Sequence, residues 1–148
     1  MTLEDAKEVC SWDYPGEYRV YNNSWEEAAG KNMSYAKEQV RASEFWSLVQ
    51  DRELVGFFRL HPDEEGVMLG LGLRPDLCGQ GNGRLLLEYA IQTFQNHHPN
   101  VNLHLMVREW NERAIRCYAS SGFVQTGCRK MKIPSGEADF LCMEYRGK

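Results

Sequence analysis

A single mixed α/β domain is the fold class this sequence predicts, and three observations predict it. The chain has 148 residues, the length of one domain. Three strand-like runs separated by polar turns fill residues 44–73 and read as an antiparallel meander. After them the period changes, and helix-like and strand-like segments alternate to the end.

The elements follow in order. Thr2 and Asp5 stand in a capping-box arrangement at the head of a helix expected to run to about Ser11. Trp12–Gly16 carries turn residues, and Ser24 caps a short helix over Trp25–Ala29 that Gly30 stops. Strands are expected at Glu44–Gln50 and Leu54–Leu60 around the turn Asp51-Arg52-Glu53, then at Val67–Leu73 after a turn over His61–Gly66. Gly79-Gln80-Gly81-Asn82-Gly83 opens a helix whose expected buried stripe is Leu85, Leu86, Tyr89, Ala90 and Phe94. Val101–Val107 alternates Val101, Leu103, Leu105 and Val107 against Asn102, His104 and Met106, a strand with two unlike faces. Glu112–Ser121 is a further helix ended by Gly122, and Phe123–Lys132 with Asp139–Tyr145 form a closing hairpin. No repeat, low-complexity tract or linker divides the chain, so residues 1–148 are expected to be one domain.

Composition narrows the function. The 17 basic and 21 acidic residues give a net charge of −4, which argues against nucleic acid or an anionic membrane as the main partner. No apolar run approaches the ~20 residues of a membrane span. The opening residues carry acids where a secretion signal needs a basic start, so the expected address is the cytoplasm. Cys10, Cys78, Cys117, Cys128 and Cys142 include no C-x-x-C pair, and no metal is expected.

Leu69-Gly70-Leu71-Gly72-Leu73 is a strand with leucines on one face and glycines on the other, where another backbone or a ligand can approach the main chain. Just beyond it, Gly79–Gly83 sets a glycine-rich turn at a helix N-terminus, where free N–H groups and the helix dipole suit phosphates. Arg84 can add a charge-assisted contact. No Gly-Lys-Ser/Thr follows, and the third glycine of a dinucleotide fingerprint is missing. A pyrophosphate cradle beside a strand able to bind an amide chain is what these residues describe, and a pantetheine arm carrying a pyrophosphate has that combination of groups.

Arg74-Pro75-Asp76-Leu77-Cys78-Gly79-Gln80-Gly81-Asn82-Gly83-Arg84-Leu85-Leu86 resembles the coenzyme A-binding signature of the GNAT superfamily of N-acetyltransferases. Asn111-Glu112-Arg113-Ala114-Ile115-Arg116-Cys117-Tyr118-Ala119-Ser120-Ser121-Gly122-Phe123 resembles its second conserved block. The resemblance covers about Leu3 to Tyr145, with specific motifs from Leu54 onward. It implies a mixed, mostly antiparallel sheet in which Val67–Leu73 splays from Val101–Val107 to admit the pantetheine. Main-chain groups of Leu71, Gly72 and Leu73 would then pair with its amides, and Gly79, Gln80, Gly81, Asn82, Gly83 and Arg84 would hold the pyrophosphate. Asn111 would contact the coenzyme, and Tyr118 would protonate the departing thiolate, a task suited to a phenol with an unperturbed pKa near ~10.

The chain also departs from the family pattern. The strand that opens many members is expected to be absent or very short. Cys78 stands where relatives often have Arg or Gln. Met106 stands where some relatives place a catalytic glutamate, and methionine takes no proton. His104 and Glu109 are the nearest titratable replacements; structural or solvated roles are expected for both, with a water relay deprotonating the amine. The reaction implied is direct acetyl transfer from acetyl-CoA to an amine, without a covalent acyl-enzyme, because no Cys or Ser with a paired His is evident. A non-catalytic acyl-CoA-binding module is the alternative, and a nucleotide-binding domain a third reading. The acceptor is a small molecule or a protein amine. Residues 1–74 hold 14 acids and 8 bases, which favours a cationic acceptor over an anionic one. The oligomeric state is not legible.

Overall fold

Caps and glycines set where the elements begin and end. The computed structural model describes residues 1–147. Helix α1 (Leu3–Ser11) carries the expected box: the Asp5 N–H donates to Thr2 Oγ1 at 3.0 Å, and the Thr2 N–H donates to the Asp5 carboxylate at 3.3 Å. Helix α2 (Trp25–Gly30) starts with the Glu27 N–H donating to Ser24 Oγ at 3.1 Å. Helix α3 (Glu38–Glu44) follows, an element the sequence reading did not mark. At seven residues it is too short for propensity to sustain it alone. It buries Arg41, whose guanidinium donates to the Tyr35 carbonyl at 3.0 Å.

Strands β1 (Phe45–Gln50), β2 (Glu53–Asp63) and β3 (Gly66–Leu73) come next, then helix α4 (Asn82–His97), strand β4 (Leu103–Arg108), helix α5 (Glu112–Ser120), and strands β5 (Phe123–Ile133) and β6 (Gly136–Tyr145). The sheet order is β1-β2-β3-β4-β6-β5. Pairing is antiparallel for β1–β2, β4–β6 and β5–β6 and parallel for β3–β4. The mixed α/β class and the order of the elements are as the sequence predicts.

The described residues form two compact units. One holds Met1–Arg59 and Leu71–Asn82; the other holds Leu60–Gly70 and the residues from Gly83 on. In the first, Trp12, Phe45, Leu54, Val55, Phe58 and Leu73 are buried. Its aromatic rings pack in sequence, Trp12 to Phe57 at 6.3 Å and Phe57 to Phe45 at 6.2 Å between centroids. A Cβ at Gly72 would run into the Phe57 ring. The glycine face of β3 is therefore occupied by an aromatic side chain at this position, not left open to a ligand as expected.

In the second unit, Leu103, Leu105 and Val107 of β4 are buried, and α4 buries Leu86, Leu87, Ala90, Ile91 and Phe94. The expected stripe on α4 is out of phase, because Leu85 and Tyr89 are 48% and 47% exposed. At 100° per residue, 86, 87, 90, 91 and 94 share one side of the helix while 85 and 89 lie on the other. The turn expected over His61–Gly66 is also shorter than that. β2 runs on through Pro62 to Asp63, and the reversal is made at Glu64 and Glu65. Pro62 fits in a strand because the β1 ladder on β2 ends at Phe45↔Arg59, leaving the missing N–H without a β1 partner to disappoint. Val101, expected to begin its strand, is exposed and lies before β4.

Leu86→Ala is expected to cost about 2–5 kcal/mol in urea unfolding, the usual range for a fully buried leucine. Leu85→Ala should stay within about 0.5 kcal/mol. Equal losses at the two positions would return the stripe to the phase first read.

Candidate active site

The first unit carries the glycine loop. β3 ends at Leu73, whose carbonyl accepts the Tyr14 hydroxyl at 2.7 Å, and the Arg74 N–H donates to the Val55 carbonyl at 2.9 Å. The Arg74 guanidinium grips Asp76 through two bonds of 2.7 and 3.2 Å, and Pro75–Leu77 makes one 3₁₀ turn. Gly79 and Gly81 then adopt φ of +76° and +84°. A Cβ at either would meet nothing within 4 Å, so backbone conformation and not crowding demands glycine. The amides of Gln80 and Asn82 turn back on the loop, donating to the Asp76 carbonyl at 2.9 Å and the Leu77 carbonyl at 3.1 Å. What this loop can offer an anion is its main chain.

The second unit carries the start of α4 and all of α5. Gly83 and Arg84 lie in the first turn of α4, where N–H groups have no acceptor within the helix. A Cβ at Gly83 would stand 3.7 Å from Cys117 Sγ, so the head of α4 meets the middle of α5 one residue before Tyr118. Arg84 Nε is 3.7 Å from the Glu88 carboxylate, and both side chains are half exposed. Asn111 caps α5 as the sequence suggested: its side-chain oxygen accepts the Ala114 N–H at 3.2 Å, and the residue is 8% exposed. Tyr118, two turns further along, is half-buried with its ring 5.9 Å from that of Phe123. Burial pushes the Cys117 thiol up against the opposing charge of Arg84, which makes it a poor nucleophile at neutral pH.

The same unit holds a group that spacing in the sequence could not reveal. His104 Nε2 lies 2.9 and 3.0 Å from the two carboxylate oxygens of Asp63, 41 residues earlier in the chain. Its Nδ1 is 3.8 Å from the Glu65 carboxylate, which Arg129 of β5 bridges. Burial by itself would raise the Asp63 pKa; the His104 hydrogen bond, the Glu65 N–H and the charges of His104 and His61 outweigh it and hold that carboxyl below its ordinary value. His104 and Met106 line a cavity of about 180 Å³ together with Glu65, Cys142 and Glu144. Glu109, the other titratable candidate, is exposed, and its N–H donates to the Asp139 carbonyl at 3.1 Å.

A family model described as the acetyltransferase (GNAT) family matches residues 7–123. The chain belongs to the GNAT acetyltransferase family. The match takes in the glycine loop, β4 and α5, the segments on which the sequence resemblance stood, and acetyl transfer is the activity of this family. Solved structures with the same fold include the ribosomal-protein-S18-alanine N-acetyltransferase of Escherichia coli, at 23% identity and TM-score 0.67, covering 97% of this chain and 86% of that one. A chimera of a Vibrio cholerae spermidine N-acetyltransferase reaches TM-score 0.72 at 18% identity over 98% and 92%. AAC(6')-Ib, in complex with ribostamycin and coenzyme A, reaches 0.69 at 19% over 96% and 89%. No curated protein matches the chain. Among the described residues, no group of three or more His, Cys, Asp or Glu side chains is placed to hold a metal ion.

Asp63 makes a pH prediction. A carboxylate whose folded pKa lies below its unfolded one adds stability that is whole above the ordinary value near ~3.9 and is lost as pH falls through the lowered one. Asp63→Asn is expected to be less stable than the parent chain at neutral pH, with the deficit closing below about pH 4. Urea unfolding across pH 2.5–8 measures it, and a deficit that does not depend on pH would deny the pairing.

Proposed function

We propose that this acetyltransferase takes its acetyl group from acetyl-CoA and passes it by direct attack to an amine, acting as one domain over residues 1–148. The observation that carries the reading is the left-handed glycine pair, Gly79 and Gly81, set in a loop whose own amide side chains are tied back, immediately before α4. Such a loop presents N–H groups without side chains to compete, which suits a pyrophosphate. Gly79, Gln80, Gly81, Asn82, Gly83 and Arg84 are assigned to it through their main chain, with the Arg84 guanidinium as an added charge. Leu71, Gly72 and Leu73 are assigned to the pantetheine amides. The Leu73 carbonyl already accepts Tyr14, so the first two take the larger share. Asn111 is assigned to the coenzyme by resemblance, while its side-chain oxygen serves the α5 cap.

When bound, acetyl-CoA supplies an activated thioester. Tyr118 is proposed to give a proton to the departing sulfur. The high thiol pKa of Cys117 supports transfer without an acyl-cysteine at that position. No helix among the described residues is long and apolar enough to cross a membrane, and we assign the protein to the cytoplasm. The neighbouring structures are named for a ribosomal-protein alanine and for spermidine, and one holds ribostamycin. With the acid excess of residues 1–74, we assign a cationic amine, small or on a protein, as acceptor.

Tyr118→Phe should lower kcat by about 10²–10⁴ with little change in acetyl-CoA affinity by calorimetry. Full turnover in that variant would assign the ring to packing. For the acceptor, kcat/KM for matched cationic, neutral and anionic amines should fall in that order, and only the cation should weaken as salt rises. Equal values across the set would leave acceptor charge without a role.

A further inference from the structure

The last peptide of β3 is held from both sides. The Arg74 N–H donates to the Val55 carbonyl of β2 at 2.9 Å. In a trans peptide the carbonyl points the opposite way, so the Leu73 carbonyl is turned to the edge of β3 away from β2. The β4 ladder on that edge stops at Met68↔His104. At Leu73 a side chain stands where a neighbouring strand would: the Tyr14 hydroxyl donates to the Leu73 carbonyl at 2.7 Å. We infer that Tyr14 is a positioning residue for the coenzyme, fixing the last peptide of the strand assigned to the pantetheine arm. This rests on the acetyl-CoA reading above, and every group it uses belongs to the first unit.

Tyr14 is itself held. Its N–H donates to Asn22 Oδ1 at 2.8 Å, and its carbonyl accepts from Asn22 Nδ2 at 3.2 Å. The same amide donates to the Asp13 carboxylate at 2.9 Å. Asn22 thus closes the neck of the loop 13–22, and the Tyr14 ring meets that of Tyr21 edge-on at 6.3 Å. Trp12, buried just before the neck, packs on Phe57, the ring that fills the space over Gly72. One segment therefore bears on two successive residues of β3, on Gly72 through Phe57 and on Leu73 directly. A side chain whose own main chain is tied on both sides is built as a fixed support, not as a swinging lid.

The support changes what the strand end offers. With the phenol hydrogen on Leu73, that carbonyl is taken from the amide N–H groups of a ligand. A chain arriving on this edge meets the Leu73 N–H as a donor and, two residues back, the Leu71 carbonyl as an acceptor. Pantetheine carries two amides, and this reduced set of partners favours one register of the arm over a slipped one. The glycine loop beyond has supports of its own. The Arg74 fork on Asp76 and the tied Gln80 and Asn82 amides do not involve Tyr14, so losing the hydroxyl should spare the phosphate cradle.

Calorimetry with two probes tests this. Coenzyme A carries the pantetheine arm, whereas 3′-phospho-ADP keeps the pyrophosphate and lacks the arm. Tyr14→Phe should weaken coenzyme A binding by about three- to tenfold, the effect of one hydrogen bond, and leave 3′-phospho-ADP within about twofold. Asn22→Ala, which loosens the neck, should show the same selective loss to a smaller extent, and urea unfolding checks that both variants are folded. A loss shared equally by the two probes would make Tyr14 a general structural residue and overturn the inference. Unchanged or tighter coenzyme A binding in folded Tyr14→Phe would overturn it too, leaving the proposed function standing. If the parent chain binds neither probe, the proposed function falls as well.

Discussion

The short parallel ladder between β3 and β4 is the constraint on which the second unit depends. It consists of Val67↔Leu103 and Met68↔His104, with the Val67 N–H donating to the Asn102 carbonyl at 2.8 Å. Gly66 makes that approach possible: its φ is +131°, and a Cβ there would strike the Asn102 carbonyl. Parallel neighbours cannot be joined by a tight turn, so the chain must cross over, and α4 is the crossover. That demand explains why α4 is sixteen residues long and why its buried face is the broad one through Leu86, Leu87, Ala90, Ile91 and Phe94. On its other edge β4 pairs with β6 from His104↔Glu144 to Arg108↔Phe140. The two ladders together fix which residues stand beside His104.

What the sequence made legible was its punctuation and its periods. Thr2 with Asp5, Ser24 and Asn111 each have one capping geometry available, and each is found in it. Gly122, at φ +102°, ends α5 where expected. Alternation along β4 identified its buried face. The failures have equally local causes. Seven residues are too few to announce α3 by a period, although Glu38, Gln39, Arg41, Ala42 and Glu44 are good helix formers. Proline read as a turn at 62 because the sequence cannot tell which strand edge lacks a partner. The stripe on α4 slipped because three consecutive leucines, Leu85, Leu86 and Leu87, permit two phases, and only the packed core selects between them. Asp63 and His104 carry no mutual signal in sequence, since they lie 41 residues apart on β2 and β4, strands that β3 separates in the sheet.

Polar side chains assigned to the coenzyme behave alike. Gln80, Asn82 and Asn111 are the residues a reader of the sequence would offer to a ligand, and each spends its side chain on a nearby backbone group. Tying them down removes conformations that would otherwise compete for the same N–H groups, and it holds the left-handed glycines in place. The loop thereby becomes stiffer and less decorated at once. Gly72 shows the opposite economy. It is glycine because Phe57 fills the space above it, so a small residue on a strand is by itself no evidence that a ligand approaches.

The two tasks assigned to this chain call for different kinds of group. A pyrophosphate keeps its charge throughout an acetyl transfer, and main-chain N–H groups suit it because they do not titrate and are held by the backbone. The amine must lose protons during the reaction, and water or a titratable side chain can take them. Where titration is a hindrance, the polar side chains are fastened to carbonyls or caps. His104 of β4 is held through Nε2 by the Asp63 carboxylate, whose own pKa lies below its ordinary value. A glutamate at 106 would have carried its proton on the strand itself. With methionine there, β4 carries no carboxylate of its own, and Asp63 of β2 is the carboxylate that His104 holds.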